Sequence, residues 1–285
     1  MKRILGLVSS QRKLANGEIL VKEAARACGV DYELSLVRLP DLRLEPCRGC
    51  YTCLVPGRNC PIGDDLYFLA DQIKTADALI WAAPCYALGP AAVNKLLGDR
   101  IIALAQRLGD FWRKPCVVIG TAGIQGWEGY TLAALLAEAR FLGFDVKDAA
   151  MFIGALPGEG LHSEARRERV RQLGLALFGA SRQARSGECP TCWSDIWKFP
   201  EPGLAVCPLC GQKAHIRSTD GQWDFCEPGT RFERENLENH FHEWLRGKVD
   251  EFVVRRAELA VIRNQYKEKD MWLRPQGRED TPGSR

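Results

Sequence analysis

Eight of the twelve cysteines of this 285-residue chain fall into two sets of four, and each set restricts the backbone around it. The first is Cys47-x2-Cys50-x2-Cys53-x6-Cys60. It is too compact for a structural disulfide framework. Two-residue gaps let neighbouring thiolates converge on one metal centre, and a fourth ligand after a short loop suits a cubane iron–sulfur cluster. A zinc site is the alternative for the same thiols. The second set, Cys189-x2-Cys192 and Cys207-x2-Cys210, has the spacing of one tetrahedral site on two knuckles joined by a hairpin-sized spacer. Four sulfurs in a tetrahedron accept zinc or iron. Zinc would staple a piece too small to have a core of its own, whereas iron would add a redox station.

Thiols in metal-ligand spacing, with no secretion signal at Met1 to Val8, point to a reducing compartment and so to the cytoplasm. A net charge of +3 gives no reason to expect a nucleic-acid or membrane partner. No stretch has the length of a membrane span.

The chain begins with a short apolar strand, Arg3 to Val8, a polar loop and a helix from about Glu18 to Cys28. A second strand, Tyr32 to Arg38, completes a βαβ unit and implies a parallel sheet. Beyond the first cysteine set, Asp64 and Asp65 can cap a helix running to about Thr75. Three further buried strands are expected at Ala78–Ala83, Pro115–Gly120 and Asp145–Phe152. Helices are expected over Ala91–Leu108, Tyr130–Leu142 and Ser163–Ala180. Five strands alternating with helices make a doubly wound sheet.

Ligands of such sheets bind beyond the carboxyl ends of the strands. Three loops belong there. Ser9, Ser10, Arg12, Asn16 and Gly17 supply hydroxyls, a cation and a helix N-terminus, which suit a phosphate. Neither a Walker loop nor a Gly-x-Gly-x-x-Gly fingerprint is present. Pro84-Cys85-Tyr86-Ala87-Leu88-Gly89 forms the second loop, and Thr121, Ala122, Gly123 and Gly126 the third, whose glycines let backbone approach a flat ligand. Together the three form a flavin-shaped site.

Ser9-Ser10-Gln11-Arg12 with Asn16-Gly17, the motif from Pro46 through the four cysteines to Asp65, and the run from Ala76-Asp77 through Pro84-Cys85-Tyr86 to Asn94-Lys95 and Asp99-Arg100 carry a resemblance. Over roughly residues 1–154 the sequence resembles the iron–sulfur flavoproteins, within the NAD(P)H-dependent FMN reductase group of flavodoxin-like folds. The resemblance implies that Ser10, Arg12, Asn16 and Gly17 hold the FMN phosphate. It implies that the loops Pro84–Gly89 and Gly123–Gly126 lie along the isoalloxazine, and that Cys47, Cys50, Cys53 and Cys60 hold a [4Fe–4S] cluster. It also implies a homo-oligomer, dimer or tetramer, and the chemistry allows a ferredoxin or another redox partner. The sequence departs from the pattern at Glu18, where Thr or Ser usually follows Asn-Gly; a carboxylate there must turn away from a phosphate. No catalytic acid or base stands out.

The expected organisation is an α/β, flavodoxin-like domain over 1–184 with its cysteine loop at 46–62. A zinc-ribbon or rubredoxin-like module follows over 187–227, then a helical segment over 231–270 and a disordered tail over 275–285. The ribbon reads as a separate appended unit. Phe241, Leu245, Val249, Phe252, Leu259 and Ile262 make an apolar stripe for packing on the main domain or on a second subunit. Cys28 and Cys116 read as core residues, and His162, His240 and His242 as surface or capping residues. The function these features predict is FMN-dependent redox chemistry coupled to a [4Fe–4S] cluster. The alternatives are an NAD(P)H:FMN or quinone reductase with structural zinc, and an assembly subunit of a redox complex.

Overall fold

The computed structural model describes residues 1–266. The end of the expected helical segment and the 275–285 tail lie outside these residues.

The chain runs β1 (Lys2–Val8), α1 (Asn16–Arg26), β2 (Tyr32–Arg38), then the cysteine loop, α2 (Leu66–Thr75), β3 (Ala78–Tyr86), β4 (Gly89–Pro90), α3 (Ala92–Asp99), a 3-10 segment Ile101–Arg107 and α4 (Leu108–Phe111). It continues with β5 (Pro115–Ala122), α5 (Thr131–Phe141), β6 (Asp145–Ile153) and α6 (Glu164–Leu177). The order β2-β1-β3-β5-β6 is all parallel, with the short β4 turned back antiparallel on β3. This is the flavodoxin-like order, and it places the switch point beside β1 and β3.

Alternate residues of β1 go to opposite sides, as strand geometry requires. Leu5 and Leu7 join a core with α2, the 3-10 segment and α5, while Ile4 and Val8 pack with α1 and α6. Both faces are covered, so the central strands read as unbroken apolar runs. Cys28 and Cys116 are buried in this framework.

Two local expectations need correction. The helix expected over Ala91–Leu108 breaks at Arg100, where the chain tightens into 3-10 turns. Arg100 turns its guanidinium inward to Asp64, and the tighter winding directs Gln106 to the cysteine loop. The stretch after Ala83 is not only a loop. Strand β3 runs on to Tyr86 and returns through Ala87 and Leu88, both at positive φ (50° and 66°). A two-residue hairpin of this hand favours Asn or Gly, so Ala87 and Leu88 hold strain. Tyr130 N–H donates to Leu88 O at 2.8 Å and closes the turn against the start of α5.

The ribbon is a four-stranded antiparallel sheet of β7 (Lys198–Glu201), β8 (Leu204–Val206), β9 (Lys213–Ile216) and β10 (Trp223–Phe225). It is less separate than the sequence implies. Trp193, just beyond the first knuckle, is 7% exposed and belongs to the main core. The Arg182 guanidinium stacks 4.3 Å above its ring, and Arg140 of α5 lies over it at 5.3 Å. Arg182 also donates to Glu188 at 2.6 Å and 3.0 Å.

The last described elements are α7 (Arg234–Glu238), a π-helical turn Asn239–Leu245 and α8 (Arg246–Asn264). The apolar stripe divides. Phe241 and Leu245 pack on the main core, but α8 has no buried residue, and Val249, Phe252 and Ile262 are exposed. No described helix is long and apolar enough to cross a membrane.

Candidate functional site

A cavity of about 230 Å³ opens at the carboxyl ends of β1, β3, β5 and β6. Ser10, Arg12, Ala15, Asn16 and Gly17 line one end, and Pro84, Cys85, Tyr86, Thr121, Ala122, Gly123, Gly154 and Ala155 the remainder. The three loops expected from the sequence therefore converge.

The phosphate end is built on the start of α1, where no side chain caps the helix. Its free N–H groups and dipole favour an anion. A Cβ on Gly17 would sit 3.4 Å from the Ala82 Cβ, so the helix start lies directly on β3. Ser10 Oγ accepts from Arg12 N–H at 3.2 Å, which turns the loop. Glu18 does turn away. Its carboxylate accepts from Leu14 N–H at 2.9 Å, Lys22 at 2.7 Å and Arg38 at 2.8 Å. Burial raises its pKa, but these bonds and the Lys22 charge hold it below the usual carboxylate range. Two cations thus neutralise Glu18. Uncapped N–H groups, a hydroxyl and a free-ended arginine fit the FMN phosphate.

Other expected residues act indirectly. The Asn16 side chain donates to Gly154 O and Leu156 O and accepts from Gly158 and Gly160 N–H, so it ties the β6–α6 loop to the cavity, while its backbone faces the anion site. Ser9 Oγ donates to Asn94 at 2.8 Å, inside the fold. Ser9, Ala87, Leu88, Gly89 and Gly126 do not line the cavity. Cys85 does, and its thiol donates to the carbonyls of Trp127 and Glu128 at 3.4 Å and 3.5 Å, tying the second loop to the third. Exposed Tyr86, Leu88, Ile124, Trp127 and Tyr130 give these two loops an apolar surface.

Four contributors escape sequence reasoning, and Ala15, before the start of α1, is the first. Gly154 and Ala155 lie at the end of β6, the fourth strand end, and a glycine there was an available signal. Arg38 closes β2 and donates to Ser10 O at 3.1 Å and Arg12 O at 2.7 Å, which clamps the phosphate loop from outside. Nothing local distinguishes it from an ordinary strand-end arginine.

The first cysteine set occupies a different place. Among the described residues, none of its members lines the cavity. Cys47 and Cys50 are exposed, Cys60 is half-buried and Cys53 is buried, all as free thiols. Burial first, then the charges of Cys60, Cys47 and Cys50, push Cys53 up to about 11. The loop is held from beneath. Gln106 Nε2 donates to the carbonyls of Cys53, Val55 and Arg58 at 2.7, 3.0 and 3.1 Å. Tyr67 Oη accepts from Cys60 N–H at 2.8 Å, and Arg100 donates to Cys60 Sγ at 3.6 Å. Asp64 and Asp65 serve mainly as anchors of this loop, accepting from the backbone of Glu45 and Arg43; Asp64 also takes the Leu66 N–H at the start of α2. Free thiols sharing one braced loop are a donor set that fits an iron–sulfur cluster.

The second set is closed. Cys189 and Cys210 place their sulfurs 3.4 Å apart, Cys192 and Cys207 3.5 Å. All four lie within 4.8 Å of one another and are buried. Metal–sulfur bonds of about 2.3 Å put tetrahedral sulfurs about 3.8 Å apart, so one ion fits. Among the described residues this is the one group already gathered for a single metal ion.

An iron–sulfur flavoprotein of Methanocaldococcus jannaschii is 36% identical over 99 residues, 34% of this chain and 51% of that protein. The chain thus spans about half of that relative's length. A flavone synthase of Aspergillus candidus is 26% identical over 267 residues, covering 80% of this chain and 83% of its own. A solved structure described as a flavone reductase shares the fold with a TM-score of 0.73 at 19% identity, over 96% of this chain and 100% of that one. The family described as NADPH-dependent FMN reductase matches residues 2–151. With its flavodoxin-like sheet and a cavity at the carboxyl ends of its strands, this chain belongs to the NADPH-dependent FMN reductase family.

Proposed function

We propose that the protein passes electrons between its flavin and a [4Fe–4S] cluster held by Cys47, Cys50, Cys53 and Cys60, converting two-electron into one-electron transfer. The observation that carries this reading is the cysteine loop: four free thiols on one short loop, braced by Gln106, Tyr67 and Arg100. Bound FMN supplies both one- and two-electron chemistry. The chain's own part is to hold the phosphate on Ser10, Arg12 and the start of α1, and to seat the ring between the second and third loops. N–H donors such as Arg100 on cluster sulfurs tune potential. The ribbon carries zinc as a structural ion, or iron as a further redox station. The reading also includes a homo-oligomer, dimer or tetramer, and a ferredoxin or other redox partner; the exposed apolar side chains of α8 support a covered face.

Metal and acid-labile sulfide analysis of anaerobically purified protein tests it. About four sulfides per chain are expected, lost in Cys50→Ser with flavin retained. Protein without labile sulfide sinks the proposal.

A second reading is favoured by the aromatic side chains Tyr86, Trp127 and Tyr130 on the flavin loops, and by the extent of similarity to the flavone enzymes. Here the protein is an NAD(P)H-driven reductase of a planar conjugated substrate such as a flavone, with zinc at the cysteines. Its expected result is NAD(P)H-dependent flavone turnover that is unchanged in Cys50→Ser. A tenfold or greater loss of turnover in that variant would count against it.

A further inference from the structure

A second cavity, of about 350 Å³, lies between α3, α5 and the π-helical turn, and shares no residue with the FMN cavity. Its walls are largely apolar: Ile101, Ile102, Ala134, Phe141, Phe241 and Leu245. Lys95, Asp99 and His240 also line it, and one buried acid, Glu138, interrupts the apolar wall. Glu138 is 8% exposed, and its Oε2 is buried with no hydrogen-bond partner. A Cβ on Gly98 would come within 3.1 Å of Glu138 Oε1, so this carboxyl lies close against α3. Lys95, the nearest cation at the rim, is paired with Asp99. Burial pushes Glu138 up to about 8; Lys95 moderates this and Asp99 adds to it.

A buried, unpaired carboxyl costs about 1–3 kcal/mol, and more when charged, so it calls for an explanation. Ligand sites combine this volume range, apolar walls and a few aimed polar groups. The wall is also unusual. The π-helical turn Asn239–Leu245 supplies His240, Phe241 and Leu245, and such turns are rare and frequent at functional sites. His240, exposed as a surface residue, stacks on Trp244 at 5.4 Å, at the cavity edge.

We propose that this cavity binds a small organic amine, its apolar body against Phe141 and Phe241 and its N–H head on the Glu138 carboxyl. The ammonium donates to Glu138, which gives up its own proton to solvent on binding, so the buried pair forms without a free charge.

Benzylamine, with benzyl alcohol as its uncharged counterpart, is the probe, titrated calorimetrically into the full chain at neutral pH in buffers of different ionisation enthalpy. The wild type is expected to bind benzylamine with release of a fraction of a proton. Glu138→Gln is expected to bind it at least about tenfold more weakly, as loss of a charged hydrogen bond requires. The facing groups Lys95, Asp99 and His240 are unchanged in that variant, so the lost proton reports Glu138. Ala134→Leu, which fills the cavity and keeps the acid, is expected to weaken binding of both probes. Equal affinity for amine and alcohol, binding unchanged in Glu138→Gln, or no binding to the wild type would each overturn the proposal.

Discussion

Cys192→Ser is expected to release the ribbon's metal and to unfold the ribbon. Apparent binding free energies of structural zinc in small modules are about 10–16 kcal/mol, and that binding energy is folding energy. The ribbon has little else. Its own apolar cluster is the four cysteines, with Trp197, Leu209 and Phe232 packed around them. The damage should reach the main domain through Trp193, which lies one residue beyond the altered ligand and fills a place in the main core under Arg182 and Arg140. Removing a large aromatic from a core costs about 3–5 kcal/mol. The expected observations are loss of one metal equivalent, a red shift of tryptophan fluorescence and a lower melting temperature for the whole chain. A variant that keeps its metal and its melting temperature would show that the ribbon is not metal-stapled.

Arg100→Met should cost about 3–5 kcal/mol, the penalty for leaving one member of a buried ion pair alone. The side chains of Arg100 and Asp64 are both fully buried, with Arg100 donating to Asp64 at 2.6 Å and 3.2 Å and to Glu45 O at 2.6 Å. Burial raises the Asp64 pKa, but the Arg100 hydrogen bond, the Glu45 amide, the Arg100 charge and the Leu66 amide together hold it below the ordinary carboxylate range. Its stabilising contribution is therefore complete above the unfolded carboxylate pKa and is lost as pH falls through the depressed folded value. In Arg100→Met burial is unopposed by the guanidinium, so the acid transition should move to higher pH. Urea unfolding across the acidic range measures both effects. Adding Asp64→Asn should recover part of the loss, because no buried charge then remains. A single variant as stable as wild type, with an unmoved acid transition, would refute the account. The same variant tests the brace on Cys60, since loosening the loop should lower the retained iron.

The two effects illustrate what each level of description could supply. The periodic strands were legible because a parallel strand covered on both sides is apolar throughout, and the C-x2-C spacings because a two-residue gap lets a pair of thiolates reach one metal. The phosphate loop was legible as a class of residue, but not residue by residue. Ser9 and Ser10 are chemically alike, and only the direction each takes at the end of β1 sends one to Asn94 and leaves the other lining the cavity. Arg38 and Arg100 carry no local mark at all. Their partners Glu18 and Asp64 are twenty and thirty-six residues away, a relation that exists only after the sheet forms.

By itself, then, the sequence determined the alternation of strands and helices, the chemistry of the strand-end loops and the spacing of both cysteine sets, since these follow from local periodicity and side-chain type. Tertiary structure alone decided that Glu18 turns from the phosphate loop to two cations and that the ribbon locks onto the main domain through Trp193. It also left Glu138 buried without a partner. Each of these depends on which distant groups burial brings together, and no periodicity encodes that.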